Sequence, residues 1–404
     1  MLVLEFKAVG KPRQQLAIDE AIRTAQFVRN KCLRLWMDKP GTGKYDLSKY
    51  CAVLAKQFSF ANTLNSQARQ AAAERAWSAI SRFYDNCKRK VVGKKGYPKF
   101  KKHSRSVEYK TTGWKLVDNR KRIEFTDGKQ IGSLKLKGTR NLNFYQSEQI
   151  KRVRLIRRAD GYYVQFCVAV ERREQVEPTG NTVGVDVGLA DFYTDSEGCK
   201  EPNPRFLRTS ELRRRKLSRR FSRTQKGANN RQKARNRLAR LDLKISRQRK
   251  DHAVKLARCV VMSNDFIAYE DLSVKNMVRN HCLAKSISDA GWYQFRTWVE
   301  RFGTVFGRVT VAVAPQYTSQ RCSDCGVLVK KSLSTRTHSC ACGCRLDRDE
   351  NAARNILAAG LRTVGHTGTW GGDAPNASGD ATALLAGFGL SGKVVSGKEE
   401  SHRL

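Results

Sequence analysis

Thr182-Val-Gly-Val-Asp-Val-Gly-Leu-Ala-Asp-Phe-Tyr-Thr-Asp195 decides how this chain is read. An apolar run carries Asp186 near its end, and Gly184 and Gly188 flank the acid. A second run follows and stops at Ser196-Glu-Gly198. The pattern predicts a buried strand over 182–187 and a partner near 190–194, with the glycines permitting close backbone packing and a turn directly after the acid. Working outward, Phe266-Ile-Ala-Tyr-Glu270 reads as another buried strand ending in an acid. A long helical stretch over about 210–262 precedes it. A helix near 288–302 and a strand over 309–314 follow. Asp349, within Asp347-Arg-Asp-Glu-Asn-Ala-Ala-Arg-Asn355, opens a last helix over about 350–361.

Strand, hairpin, helix, strand and helix in this order fit a ribonuclease-H-like α/β sheet. In such a sheet Asp186 lies on the first central strand, Glu270 ends another, and Asp349 enters from the last helix. Two-metal phosphodiester cleavage needs carboxylates of this kind to anchor two Mg²⁺ ions roughly 4 Å apart. Each acid also has a plainer reading. Strands ending in Asp-x-Gly occur in actin-like ATPases and sugar kinases; Glu270 could be an ordinary strand end and Asp349 a helix cap. Asp347 competes with Asp349 for the third position. No Gly-x-x-x-x-Gly-Lys-Ser/Thr loop is present, which argues against an NTPase.

Charge narrows the substrate. Lys and Arg number 78 against 37 Asp and Glu, a formal charge of +41 over 404 residues. Such an imbalance implies attachment to phosphate backbones with steep salt dependence. Residues 205–250 hold 19 Lys or Arg and only two acids, Glu211 and Asp242, around a thin apolar stripe of Leu238, Leu241 and Ile245. A nucleic-acid track on a helix pair is expected there. No run approaches the roughly 18 apolar residues of a membrane span, and residues 1–9 alternate like a strand rather than a secretory signal.

Five of the twelve cysteines fall between Cys322 and Cys344, and the other seven are scattered singly. That usage suits a reducing compartment with one metal cluster, hence a soluble intracellular protein. Cys322-x-x-Cys325 followed by Cys340-x-Cys342-x-Cys344 is zinc-ribbon spacing. Cys322, Cys325, Cys340 and Cys342 are the expected ligands of one structural Zn²⁺, with Cys344 or His338 as possible substitutes. The ribbon lies between the 309–314 strand and the Asp349 helix, so its closure would fix where the third carboxylate points.

The N-terminal part switches period. Leu2, Leu4, Phe6 and Ala8 share one strand face. Ala21, Ala25, Val28, Cys32 and Leu35, then Ala68, Ala72, Ala76, Ile80 and Phe83, mark the buried lines of two helices. A Gly- and Lys-rich loop with interleaved aromatics surrounds Gly96-Tyr-Pro-Lys-Phe100. Strands follow at Leu134/Leu136, Val153/Leu155 and 164–170, the last two joined by a turn at Asp160-Gly161. They suggest a small antiparallel sheet or barrel completed by the N-terminal strand. Trp36, Trp77 and Tyr84 could stack on bases or form core.

At these residues the chain resembles TnpB, the insertion-sequence nuclease related to type V CRISPR effectors. The matching segments are residues 96–102, 183–189, 269–272, 315–326 and 347–357, and the order of elements extends the likeness over about 1–360. The resemblance implies an RNA-guided, Mg²⁺-dependent DNA endonuclease that takes a transposon-end RNA as guide and cuts beside a short adjacent motif. It implies a multidomain α/β fold: a wedge-like β-barrel (1–12 and 100–178), a helical recognition domain (13–99), a RuvC-like nuclease domain (179–315 and 345–362), an inserted zinc ribbon (316–344) and a disordered tail (363–404). Asp186, Glu270 and Asp349 would be the catalytic, Mg²⁺-binding residues. The partners would be guide RNA and double-stranded target DNA, with no membrane, a monomer on its RNA, and a cytoplasmic, nucleoid-associated location. A protein without an evident base-reading motif could delegate sequence to RNA pairing. A nuclease-inactive RNA-guided regulator, a strand-transfer transposase of the same fold and a miniature CRISPR effector are the alternatives.

Overall fold

Leu2, Leu4, Phe6 and Ala8 are buried and the residues between them exposed along strand β1 (Leu2–Val9), the period-two burial of a strand with one face on a core. The computed structural model describes residues 1–332 and 334–364, and they divide into two units, one ending at Arg172 and the other beginning at Arg173. The expected disordered tail lies outside the described residues from 365 onward.

In the first unit β1 is the middle of a seven-stranded antiparallel sheet. Helices α1 (Pro12–Asp38), α2 (Lys44–Gln57), the short α3 (Ser59–Asn62) and α4 (Ser66–Lys88) come before the other strands: β2 (Ser106–Tyr109), β3 (Trp114–Val117), β4 (Arg122–Phe125), β5 (Gly132–Lys137), β6 (Ile150–Arg158) and β7 (Gly161–Val168). The order β2-β6-β7-β1-β5-β4-β3 is open in its hydrogen bonding, yet the sheet curls. Tyr109 on β2 meets Phe125 on β4 with ring centroids 4.8 Å apart. Sequence reading did not reach β2, β3, β4 or α2. The strands have four residues each, and the β3–β4 turn uses Asp118, Asn119 and Arg120, all with positive φ, in place of the expected glycine signal. The buried lines of α1 and α4 share a core with the sheet. Trp36 belongs to that core and donates from Nε1 to the Tyr84 hydroxyl at 3.0 Å, which takes it away from base stacking.

The second unit is built on strands β8 (Thr182–Val187), β9 (Asp191–Asp195), β10 (Lys200–Pro202), β11 (Phe266–Glu270) and β12 (Val309–Val313) in the order β10-β9-β8-β11-β12. β8, β11 and β12 are parallel; β9 and β10 join as antiparallel strands. The long helical stretch expected over about 210–262, read as a helix pair, is the two helices α5 (Phe206–Ser222) and α6 (Asn229–Ser263), broken around Gly227 at φ 89°. Arg231 closes the break by donating to the carbonyls of Phe221 (3.2 Å) and Thr224 (2.6 Å) at the end of α5. α5 has no buried residue. Its N-terminus is held by the buried Asp289 carboxylate, which accepts from the Leu207 N–H at 2.9 Å and the Arg208 N–H at 3.1 Å. Both acids of the basic stretch are engaged, Glu211 by Arg215 and Lys285 and Asp242 by Arg214.

After β11 come α7 (Val274–Met277), α8 (Ala284–Ala290) and α9 (Trp292–Phe306). Gly291 at φ 77° separates α8 from α9, where one helix over 288–302 was expected. The hairpin β13 (Thr337–Ser339) and β14 (Arg345–Asp347) leads into α10 (Arg348–Val364).

One face of the sheet (Val183, Val185, Ile267 and Tyr269) packs on α6 and α9 through Ala257, Val261, Phe295 and Val299. The other (Phe266, Ala268 and Val313) packs on α10 through Ile356. Strand alternation therefore decides where the acids go. Tyr269 stands beside Val185 in the parallel register, so the next residues, Glu270 and Asp186, fall side by side on the α10 face.

Candidate active site

Gly184 sets the distance between that face and α10. A Cβ on Gly184 would lie 2.1 Å from the Ala353 carbonyl oxygen and 2.8 Å from the Leu357 nitrogen. Only a residue without a side chain lets the helix rest on β8 this closely. At the other end of the contact Gly360 does the same service, for its Cβ would come within 2.6 Å of the Ala268 Cβ.

Asp347 and Asp349 compete for the third position on sequence, and the structure gives them different tasks. Asp347 Oδ1 accepts from the Asp349 N–H at 2.9 Å, which is the N-cap bond of α10. Its Oδ2 accepts from Lys200 Nζ at 2.7 Å. Burial works against the charged form of Asp347, but the Lys200 bond and the helix N–H groups hold its carboxyl below the usual range. Asp349, the second residue of the helix, points its carboxylate to Arg348, whose Nε and Nη2 donate to Oδ1 at 3.0 and 2.9 Å. Arg336 lies 3.8 Å from Oδ2.

Asp186 and Glu270 are each partly buried and partly open to solvent. Burial first, then the charges of Glu270 and Asp349, push the Asp186 carboxyl well above the ordinary range; Arg348 partly offsets this. Burial also raises Glu270, against a short bond from the Thr318 hydroxyl to Oε1 at 2.6 Å. Asp186 is thus close enough to Glu270 and to Asp349 to feel the charge of both. Among the described residues, sets of three ligand groups with donor atoms all within 4.8 Å occur in the ribbon, and the acidic trio is not one of them. Arg348 occupies the position of positive charge at Asp349.

The ribbon brings the expected four cysteines together. Cys322, Cys325, Cys340 and Cys342 offer sulfurs within 4.8 Å of one another. The Cys322–Cys342 and Cys325–Cys340 pairs are 3.7 and 3.5 Å apart. Four thiolates at 2.3 Å from a tetrahedral zinc have edges of about 3.8 Å, so the donor set fits zinc. Cys344 and His338 form a second group with Cys322. The His338 Nε2 is buried without a hydrogen-bond partner, while Nδ1 meets Lys331 Nζ.

Sequence reading assigned no role to the residues that join ribbon and acids. Asn351 and Asn355 are buried on α10, one turn apart. Their amides donate to the Arg321 carbonyl at 2.8 and 2.7 Å, Asn355 also donates to the Thr318 carbonyl at 2.9 Å, and Ser323 N–H donates to Asn351 Oδ1 at 3.0 Å. Buried asparagines on an otherwise apolar helix face were the available signal.

The chain matches the OrfB_IS605 family, described as a probable transposase, over residues 165–281, and the TNB domain of Cas12f1-like proteins over 292–356. A protein of Escherichia coli (strain K12) named "Putative RNA-guided DNA endonuclease InsQ" is 30% identical over 299 residues, covering 70% of this chain and 72% of that protein. The chain belongs to the TnpB family. A Streptomyces pristinaespiralis relative, named "Putative RNA-guided DNA endonuclease", is 41% identical over 185 residues, covering 45% of this chain; the match spans only 46% of that relative's length. A solved structure of the Cas12f1-sgRNA-target DNA complex shares the fold at a TM-score of 0.55 and 16% identity, covering 86% of this chain and 83% of the other. Within this TnpB-family chain, the first family match holds Asp186 and Glu270, and the second holds Asp349 and the ribbon cysteines.

Proposed function

We propose that this chain is an RNA-guided, Mg²⁺-dependent DNA endonuclease whose centre is Asp186, Glu270 and Asp349. The observation that carries the reading is the placement of Asp186 and Glu270 side by side on the sheet face that α10 covers, near enough to Asp349 for its charge to raise Asp186. Asp186 sits against the charges of both Glu270 and Asp349, which a cation would offset, and hard oxygen donors suit Mg²⁺. When bound, such ions polarise the phosphate and supply the nucleophile. Asp186 and Glu270 would hold them from the sheet. Asp349 would join by leaving Arg348, whose guanidinium is then available to a phosphate oxygen. Asp347 keeps the start of α10 capped throughout, and four ribbon cysteines would hold one Zn²⁺.

The sheet order, with an antiparallel hairpin on one side of β8 and parallel strands on the other, supports a RuvC-like nuclease domain over 179–315 and 345–362 with the ribbon at 316–344. The wedge (1–12 and 100–178) and recognition domain (13–99) remain part of the same proposal. The α5–α6 pair, with its 19 basic residues over 205–250, supports a track for the guide–target duplex backbone. Guide RNA and double-stranded target DNA would be the partners, and two relatives carry RNA-guided DNA cleavage in their names.

The test is to purify the protein with its native RNA, sequence that RNA, and offer DNA matching its guide portion. Site-specific breaks that Asp186→Ala abolishes, with RNA binding retained, are expected. Cleavage by Asp186→Ala at the normal rate would reject the centre, and strand-joined products would favour a transposase.

A further inference from the structure

Glu270 ends its strand with a carboxylate on a freely turning terminal torsion, and one of its oxygens is already taken. The Thr318 hydroxyl donates to Oε1 at 2.6 Å. We propose that Thr318 is the positioning residue of Glu270 and that α10 holds Thr318 in place through Asn355. The inference rests on the reading of Glu270 as a metal ligand.

Thr318 is not on a loose loop. Tyr317 takes a left-handed conformation at φ 63°, and its carbonyl accepts from the Gln320 and Arg321 N–H groups at 3.1 and 2.9 Å, winding residues 317–321 into a tight turn. Asn355 grips that turn at both ends, donating to the carbonyls of Thr318 and Arg321. The next residue is Cys322, whose carbonyl and N–H are fixed within the knuckle by Gly326 and Val327 at 3.0 and 2.9 Å. One short segment therefore joins the first ribbon knuckle to Glu270, and the helix that carries Asp349 secures it. An outer hydrogen-bond donor of this kind fixes which oxygen a ligating carboxylate presents.

The experiment is Mg²⁺ titration of the RNA-bound protein, read both by guided DNA cleavage and, without DNA, by calorimetry of Mg²⁺ binding. Thr318→Val, which keeps the shape and removes the hydroxyl, is expected to raise the half-saturating Mg²⁺ concentration roughly 10- to 100-fold. Thr318→Ser should restore it to near the normal value. The half-saturating concentration does not depend on the fraction of folded enzyme, so a loss of folded yield does not imitate the effect. Asn355→Ala should raise it as well, and the two changes together should act less than multiplicatively because both work through one bond. Asp186→Ala runs alongside: if it cleaves normally, the proposed centre fails. If it is inactive while Thr318→Val needs no more Mg²⁺ than the normal protein, or Ser is as impaired as Val, the positioning role is overturned and the centre stands.

Discussion

Replacing Gly184 with alanine puts a methyl group where helix α10 already lies. The new Cβ would be 2.1 Å from the Ala353 carbonyl oxygen, 2.8 Å from the Leu357 nitrogen and 2.9 Å from the Leu357 Cβ. Two of these atoms are backbone, so no side-chain rotation relieves them. To reach the 3.4 Å of ordinary contact, strand and helix must part by about 1.3 Å. Overpacking on this scale costs about 1–3 kcal/mol, less than the stability of a typical domain, so the variant should fold and melt several degrees lower. Ala353 is about one turn from Asp349, and the shift should reach the acid. A 1 Å error in a catalytic group costs roughly 100-fold in rate. Cleavage at saturating Mg²⁺ should therefore fall by about two orders of magnitude, with guide RNA still bound. A Gly184→Ala protein cleaving within about threefold of the normal rate would refute the claim that this close approach sets the third carboxylate.

Asp186→Asn should abolish cleavage yet raise the melting temperature of the metal-free protein at neutral pH. Asp186 is raised, chiefly by burial and then by Glu270 and Asp349, so the folded chain keeps a proton that the unfolded chain gives up above about pH 4. Its contribution to stability therefore falls as pH rises from there towards the folded value. Melts across pH in EDTA should show that slope in the normal protein and a shallower one in the variant; equal slopes would count against the crowded carboxylates. Cys325→Ala should lose bound zinc and folded yield, read by metal analysis, and unchanged zinc would count against the four-cysteine site. Asp265→Ala should cost about 3–5 kcal/mol in denaturant unfolding, because it strands the buried Arg308 and frees the Thr179 and Gly180 N–H groups that Asp265 accepts.

The parts of this fold governed by local pattern were legible. β8 and β11 are short apolar runs with an acid at or near the end, and the parallel register then places Asp186 and Glu270 on one face. The alternating burial of β1 and the cysteine spacing were equally open to reading. Parts that depend on one backbone conformation were not. Gly291 interrupts what looks like one continuous helix, and the positive φ of Asp118, Asn119 and Arg120 makes a turn without a glycine signal. Asp347 and Asp349 differ only in which one caps α10, which spacing does not decide. Thr318, Asn351 and Asn355 act on partners 28 to 48 residues away, so nothing adjacent in sequence reveals their roles.

The most direct measurement is diffraction at the manganese absorption edge from crystals of the RNA-bound protein soaked in Mn²⁺. Anomalous peaks should appear between Asp186, Glu270 and Asp349, with the Arg348 guanidinium moved off Asp349. A soaked crystal with no peak at these carboxylates, and Asp349 still held by Arg348, would contradict the account.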